Sequence, residues 1–98
     1  MGFLNWMSKN NLARSTENYI WAIDQGKSHR VVGDRRQRFQ KAIALMIHHV
    51  SQQEILAIVR RAAKKERASS VALGHVRLDL MQVYKDCGMA LADEEELV

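Results

Sequence analysis

Apolar residues recur along this chain at alternating steps of three and four, the spacing that lines one face of an amphipathic α-helix. The clearest of these patterns covers residues 39–50, and others cover residues 12–23, 55–62 and 73–87. Four such segments predict an all-α fold, a compact bundle of about four helices. Because the second and third segments follow each other almost directly, we expect them to form a central amphipathic helical hairpin.

Residues that favour helix ends indicate where the first helix begins and stops. Ser15 or Thr16 is suited to its N-cap, and Gly26 is suited to the position just past its end. A short apolar patch lies further upstream, and the pair Asn10-Asn11 is expected to separate this patch from the helix. The best-defined part of the first helix is therefore expected between residues 15 and 25.

The second and third helices carry their own start signals. Residues 25–34 contain two glycines and other turn residues, which predicts a loop, and Asp34 is expected to cap the second helix. Ser51 and Glu54 then form a capping box for the third helix. This box favours a break between the two helices over a single bent helix.

The fourth helix is expected from about Ser70 to Cys87, with Ser69 or Ser70 as its N-cap and Gly88 as its stop. A second set of apolar residues in this helix lies away from its main stripe. A helix that is apolar on two sides is either central in a bundle or shared with a partner. The residues of this second set are Val71, Leu78 and Met81.

Length and composition agree with one helical domain that spans residues 1–98. The chain has 98 residues and no proline, the residue that most strongly breaks helices. Within the domain we expect a loose N-terminal segment at residues 1–14 and an acidic C-terminal tail at residues 89–98. The single cysteine, Cys87, cannot form an internal disulfide, which favours a cytoplasmic location. No apolar run approaches the length of about 18 residues that a membrane helix needs.

The charge is distributed unevenly around a net value of +4. Residues 27–67 contain eleven cations and three acids, whereas residues 68–98 contain two cations and six acids. A basic middle favours an anionic partner, so nucleic-acid binding by one face of the second and third helices is a second hypothesis. A helix-turn-helix pattern and aromatic residues among the cations are both missing, which weakens this hypothesis. The candidate residues are Arg35, Arg36, Arg38, Lys41, Arg60, Arg61, Lys64 and Lys65.

Apolar residues outside the stripes favour a different function. Tryptophan is a preferred anchor at protein interfaces, and the extra apolar residues of the fourth helix need a partner. We therefore expect a small intracellular, non-enzymatic interaction protein that binds a protein partner or a second copy of itself through apolar helix faces. The acidic tail could pair with the basic segment of a second copy. The expected interface residues are Trp6, Trp21, Val71, Leu78 and Met81.

The remaining motifs do not favour catalysis, and we expect no cofactor and no metal. His48 and His49 are adjacent and would point about 100° apart on a helix, so they would not easily share one ion. The stretch Gly26-Lys27-Ser28 resembles the end of a phosphate-binding loop, but Trp21 stands where that motif needs its first glycine. The acidic run at residues 94–96 is expected to be solvated rather than catalytic.

Overall fold

The protein folds into four α-helices in a computed structural model that describes the backbone of residues 2–91 and the side chains of residues 6–91. No strand is present in this part of the chain. The prediction of an all-α four-helix bundle is confirmed. The acidic residues 94–96 lie outside the described residues. The helices are α1 (Gly2–Asp24), α2 (His29–Met46), α3 (Gln52–Lys65) and α4 (Ser70–Asp86).

Helix α1 is longer than its capping residues predict. It continues without a break through Asn10 and Asn11, so the predicted separation of an apolar patch there is wrong, and residues 2–14 are helical. Thr16 does not cap a helix; its hydroxyl donates a hydrogen bond of 2.7 Å to the Leu12 carbonyl one turn earlier. The asparagines are tolerated because the neighbouring turn is held by Leu12, which is completely buried.

Helix α2 begins earlier than predicted, so residues 29–34 are helical rather than part of a loop. Ser28 is its N-cap, and the Ser28 hydroxyl accepts a hydrogen bond from the Val31 backbone N–H at 3.3 Å. Gly33 lies inside the helix, where its small propensity cost is tolerated. Asp34 is not the cap; its carboxylate lies 3.3 Å from Arg38 Nε one turn later.

Helices α1, α3 and α4 end in the same backbone arrangement. In each case one residue past the helix has a positive φ, and two backbone N–H groups bond back to carbonyls of the last turn, which is the Schellman motif. Gly26 and Gly88 occupy this position after α1 and α4, as their sequence context predicts. After α3 the position is taken by Arg67, whose φ is 52°. Arginine at such a position has no sequence signal that would predict it.

The predicted break between α2 and α3 is confirmed. Helix α2 ends at Met46 with Ile47 as its C-cap, and Ser51 caps α3 by accepting a hydrogen bond of 3.2 Å from the Glu54 backbone N–H. Val50 is buried in the turn between them. This turn directs both helices onto α1 rather than onto each other.

The core is built around α1, which packs against all three other helices. Helices α2 and α3 contact each other little, so the centre of the bundle is α1 rather than the pair that follows it. Tyr19 of α1 packs on Phe39 of α2, with ring centroids 5.5 Å apart. Leu80 and Tyr84 of α4 are also buried in this core. The predicted core stripes of all four helices thus converge on one cluster.

Polar contacts also join the helices. Asp24 at the end of α1 accepts hydrogen bonds from the Ser69 hydroxyl and from the Ser69 backbone N–H, the latter at 3.0 Å. The Ser69 hydroxyl in turn accepts from the Ala72 backbone N–H at 3.1 Å and so caps α4. This chain of bonds fixes the start of α4 against the end of α1.

Candidate functional site

The outer side of α4 carries two of the most exposed apolar side chains of the described residues. Val71, in the first turn of α4, is 62% exposed, and Leu78, in the middle of the helix, is 65% exposed. Met81 is half-buried on the same side, and an added side-chain carbon at Gly74 would meet no atom within 4 Å. We call Val71, Gly74, Leu78 and Met81 the α4 face.

The spacing of the α4 face is that of a helix-pairing seam. Its residues follow each other at steps of three, four and three, which are the a and d positions of a heptad. The side chains buried in the bundle, such as Val76, Leu80 and Val83, lie on the opposite side of α4. Helix α4 therefore has one apolar side inside the bundle and a second one in solvent, as the sequence pattern predicts.

A shallow groove of about 410 Å³ continues the α4 face towards the C-terminus. Leu78 and Met81 form one wall, and Met89 and Leu91 from the segment after α4 form the other. Met89 is 40% exposed, so this apolar surface extends beyond the helix. Sequence reasoning missed Met89 because it follows the stop at Gly88 and belongs to no periodic stripe.

The two tryptophans belong to α1 rather than to the α4 face. Trp6 lines a groove between α1 and α3 and is 63% exposed. Trp21 lies near the end of α1, where the Lys27 ammonium is 4.9 Å from the ring centroid and covers one face of the indole. The five predicted interface residues therefore come from two helices: Val71, Leu78 and Met81 share the α4 face, and both tryptophans are on α1.

The structure also divides the predicted basic residues between different surfaces. Arg35, Arg38 and Lys41 of α2 line a groove of about 270 Å³ against α1, and Arg14 of α1 lines the same groove. We call this the α1–α2 groove. Asn11, Ser15, Asn18, Ala42 and Leu45 complete its lining.

A second groove, of about 370 Å³, lies between α1 and α3 and holds other members of the predicted set. Arg61 and Lys65 of α3 line it together with Lys9 of α1. We call this the α1–α3 groove. The basic residues of α2 and α3 therefore do not share the single face that the sequence analysis expects, because each helix packs on its own side of α1.

The other predicted cations lie outside both grooves. Lys64 is exposed, and Arg60 is half-buried with an interaction of its own. Arg36 is close enough to the α4 carboxylate Asp79 that its positive charge acts to lower the pKa of that group. Arg36 is thus associated with the α1–α4 contact rather than with the α1–α2 groove.

Ion pairing differs between the two grooves. In the α1–α3 groove, Lys9 lies 3.2 Å from Glu54 and Lys65 lies 3.3 Å from Glu17. These pairs leave Arg61 as the lining cation without an ion pair among the described residues. The positive charge of this groove is therefore largely balanced.

The α1–α2 groove keeps most of its positive charge. Its cations pair with one acid, Asp34, which lies 3.4 Å from Arg35 Nη1 and 3.3 Å from Arg38 Nε. Arg14 and Lys41 form no ion pair with any described residue. Arg35 Nε is buried with no hydrogen-bond acceptor in the described part of the chain, so Asp34 satisfies only part of that guanidinium.

A buried polar contact joins α1 to α4 beneath these surfaces. The Tyr19 hydroxyl donates a hydrogen bond to Asp79 Oδ2. Burial is the largest effect on both groups: it raises the pKa of the Asp79 carboxyl and, together with the bond to Asp79, raises the pKa of Tyr19. The Tyr19 bond and the positive charges of Arg36 and His75 act in the opposite direction on the pKa of Asp79. The contact is structural in character, since it closes the α1–α4 interface.

Other polar candidates remain isolated. His48 and His49 are exposed in the turn after α2, and among the described residues no three or more metal-binding side chains come together. Cys87 is a half-buried free thiol at the end of α4. None of the helices, taken over the described residues, has the length and apolar character needed to cross a membrane.

Comparisons with known proteins found no relative of this chain. No protein-family model matches it, and neither a curated protein nor a solved structure shows significant similarity to it. The α4 face and the two grooves are therefore the features of the molecule that indicate a function.

Proposed function

We propose that this protein is a small non-enzymatic interaction protein that pairs with a second copy of itself through the α4 face. The observation that carries this proposal is Leu78, a leucine in the middle of a helix that leaves 65% of its surface in water. Removing such a side chain from water is favourable by about 1.5–3 kcal/mol when burial is complete. Val71, one heptad earlier, presents a comparable exposed surface on the same side.

The pattern of the α4 face favours another α4 as its occupant. In an antiparallel pair with its two-fold axis at Leu78, the two leucines contact each other, and Met81 of one copy lies within one residue, about 1.5 Å along the helix axis, of the position opposite Gly74 of the other. The long methionine then fills the space that glycine leaves open. A two-fold interface uses the same patch on both copies, and a seam with one small residue among large ones can be complementary to itself in this way.

The size of the surface suggests a weak dimer. A standard interface buries about 800 Å² on each partner, which is about one eighth of the 6509 Å² surface of the described chain. The α4 face itself is only about 15 Å long from Val71 to Met81. The groove formed with Met89 and Leu91 must also be buried if the interface is to reach the standard area. Because the apolar surface is small, we expect a dissociation constant in the micromolar range.

Sedimentation velocity over a wide range of protein concentration tests this proposal. The wild-type chain is expected to shift from monomer to dimer as concentration rises, with little dependence on salt because the contact is apolar. Leu78→Glu is expected to keep the protein monomeric, since it places a charge in the seam. Leu45→Glu is the matched control, because Leu45 is 60% exposed on α2, away from the α4 face.

The proposal fails if the wild-type chain stays monomeric at every concentration. It also fails if Leu45→Glu weakens association as much as Leu78→Glu, because the contact would then not be specific to α4. Both variants change exposed side chains, so circular dichroism is expected to show the wild-type helix content for each. Measurements in the presence of reductant prevent the free thiol of Cys87 from adding a covalent dimer.

A cytoplasmic location is part of the same proposal. Cys87 is the only cysteine of the chain and is a free thiol, which is typical of proteins kept in a reducing compartment. Dimerisation through α4 does not require a disulfide, so the proposed contact can form there.

A further inference from the structure

We propose that the α1–α2 groove binds the phosphodiester backbone of a single-stranded nucleic acid without regard to base sequence. This site differs from the α4 face and does not depend on self-association. It is assembled from Arg14 of α1 and from Arg35, Arg38 and Lys41 of α2. Because Arg14 lies far from the others in the sequence, only the packing of α1 against α2 brings the four cations together.

Unbalanced charge is the first argument for this site. Four cations line the groove, and Asp34 is the acid that pairs with them. The neighbouring α1–α3 groove has a similar opening and three cations, yet Glu54 and Glu17 pair with two of these. Cations held close together without matching acids repel one another, and an anionic ligand relieves this repulsion.

The arrangement of the cations favours a strand over a single compact anion. Arg35, Arg38 and Lys41 are three residues apart, so they form a row of about 9 Å along α2. Arg14 and the amide side chains of Asn11 and Asn18 face this row from α1. A row of cations in an open groove can follow successive phosphates, whereas a compact anion is better held by a closed cage.

The lining also indicates that bases are not read. No described residue that lines the groove is aromatic, so stacking of bases has no platform there. Trp21 of α1 does not line the groove, and Lys27 already covers one face of its ring. Affinity is therefore expected to come from counterion release at the phosphates and to depend steeply on salt.

Fluorescence anisotropy with a labelled oligouridine of about 12 nucleotides tests the proposal, since this length is within the usual site sizes for such grooves. For three or four phosphates neutralised, the plot of log affinity against log salt is expected to have a slope of about −2 to −3. Uridine is chosen because it stacks weakly, which leaves the backbone as the main determinant.

Two double variants with the same net charge locate the site. Arg14→Gln with Lys41→Gln removes the two cations of the α1–α2 groove that have no ion pair, and is expected to reduce the slope by about 1.4 and the affinity at low salt by more than about tenfold. Arg61→Gln with Lys64→Gln is the matched control, because both residues are exposed on α3. This control is expected to retain the wild-type slope and affinity within about threefold.

Three results would overturn the proposal. The first is no binding of the oligonucleotide even at low salt. The second is an equal loss in both double variants, which would mean that net charge rather than the groove attracts the strand. The third is binding of inorganic tripolyphosphate without binding of the oligonucleotide, which would indicate a site for a compact phosphate instead. Repeating the assay with Leu78→Glu separates this test from self-association, because strand binding is expected to persist in that variant.

Discussion

Tyr19 of α1 donates a hydrogen bond to Asp79 of α4, sixty residues further along the chain. This bond places a carboxylate in the interface between the first and last helices, where burial raises the pKa of Asp79 above its ordinary value of 3.8. A carboxylate is an acceptor that tyrosine can use, but its charged form is disfavoured away from water. The contact therefore aligns α1 with α4. The free-energy cost of burying the charged Asp79 carboxylate depends on pH.

The pH dependence of stability follows from the direction of this shift. Because the folded-state pKa of Asp79 is raised, its contribution to stability is fully present below the unfolded pKa and is lost as pH rises through the folded pKa. Asp79→Asn keeps an oxygen acceptor for Tyr19 and removes the titration. We expect the free energy of unfolding of wild type to fall, relative to this variant, as pH rises above about 4.

Urea unfolding followed by circular dichroism across this pH range measures the difference between the two proteins. Asp86→Asn is the control, because Asp86 is an exposed carboxylate on the same helix. A constant difference between wild type and Asp79→Asn at every pH would show that Asp79 does not titrate in the way its burial implies.

Arg67 offers a test of backbone strain at the end of α3. Its φ of 52° lies in the left-handed region that glycine adopts without steric cost. Arg67→Gly is expected to raise the free energy of unfolding by about 0.5–1 kcal/mol, which corresponds to a few degrees in Tm. Arg67→Ala is the control, because it removes the same side chain and keeps the Cβ atom. Equal stabilisation by both substitutions would assign the effect to the arginine side chain instead of the backbone.

Substitution of Gly74 is expected to affect both the stability of the monomer and the proposed self-association. A side-chain carbon at this position meets no atom within 4 Å in the single chain, so Gly74→Ala is expected to stabilise the monomer by about 0.5–1 kcal/mol through better helix propensity. In the proposed dimer the same carbon occupies the space opposite Met81 of the second copy. We therefore expect Gly74→Ala to raise Tm at low concentration and to weaken dimerisation in sedimentation velocity.

Gly33→Ala is the matched control for this prediction. Gly33 is also inside a helix, and its nearest neighbour for an added carbon is Arg36 Nη2 at 3.9 Å, an ordinary contact. It is expected to raise Tm similarly and to leave dimerisation unchanged. Unchanged dimerisation in Gly74→Ala as well would mean that the two helices do not approach closely at this point.

Local patterns in the sequence determined the number of helices and most of their core residues. Phe39, Ile43, Leu80 and Tyr84 are buried where their spacing predicts. Ser51 and Gly88 mark helix ends because capping depends on hydrogen bonds between residues only a few positions apart. The exposed positions of Val71 and Leu78 were also predictable, since both lie off the main stripe of their helix.

The errors arose where a local preference was weak and long-range packing was strong. Asn10 and Gly33 disfavour helix only slightly, and the burial of neighbouring side chains keeps both in helical backbone. The predicted start of α2 at Asp34 is also wrong, because Ser28 is an equally good capping residue six positions earlier. The hydrogen bond from Val31 to Ser28 decides between them.

The sequence by itself determined that the middle of the chain is basic, and only the tertiary structure decided which cations lie together. Periodicity assigns a residue to a side of its own helix, but it does not specify which helices become neighbours. Helices α2 and α3 pack on α1 instead of on each other, which divides the expected basic face into two grooves. Arg14 joins the cations of α2 for the same reason: the apolar stripes of α1 and α2 are buried against each other, and this packing brings the two helices together.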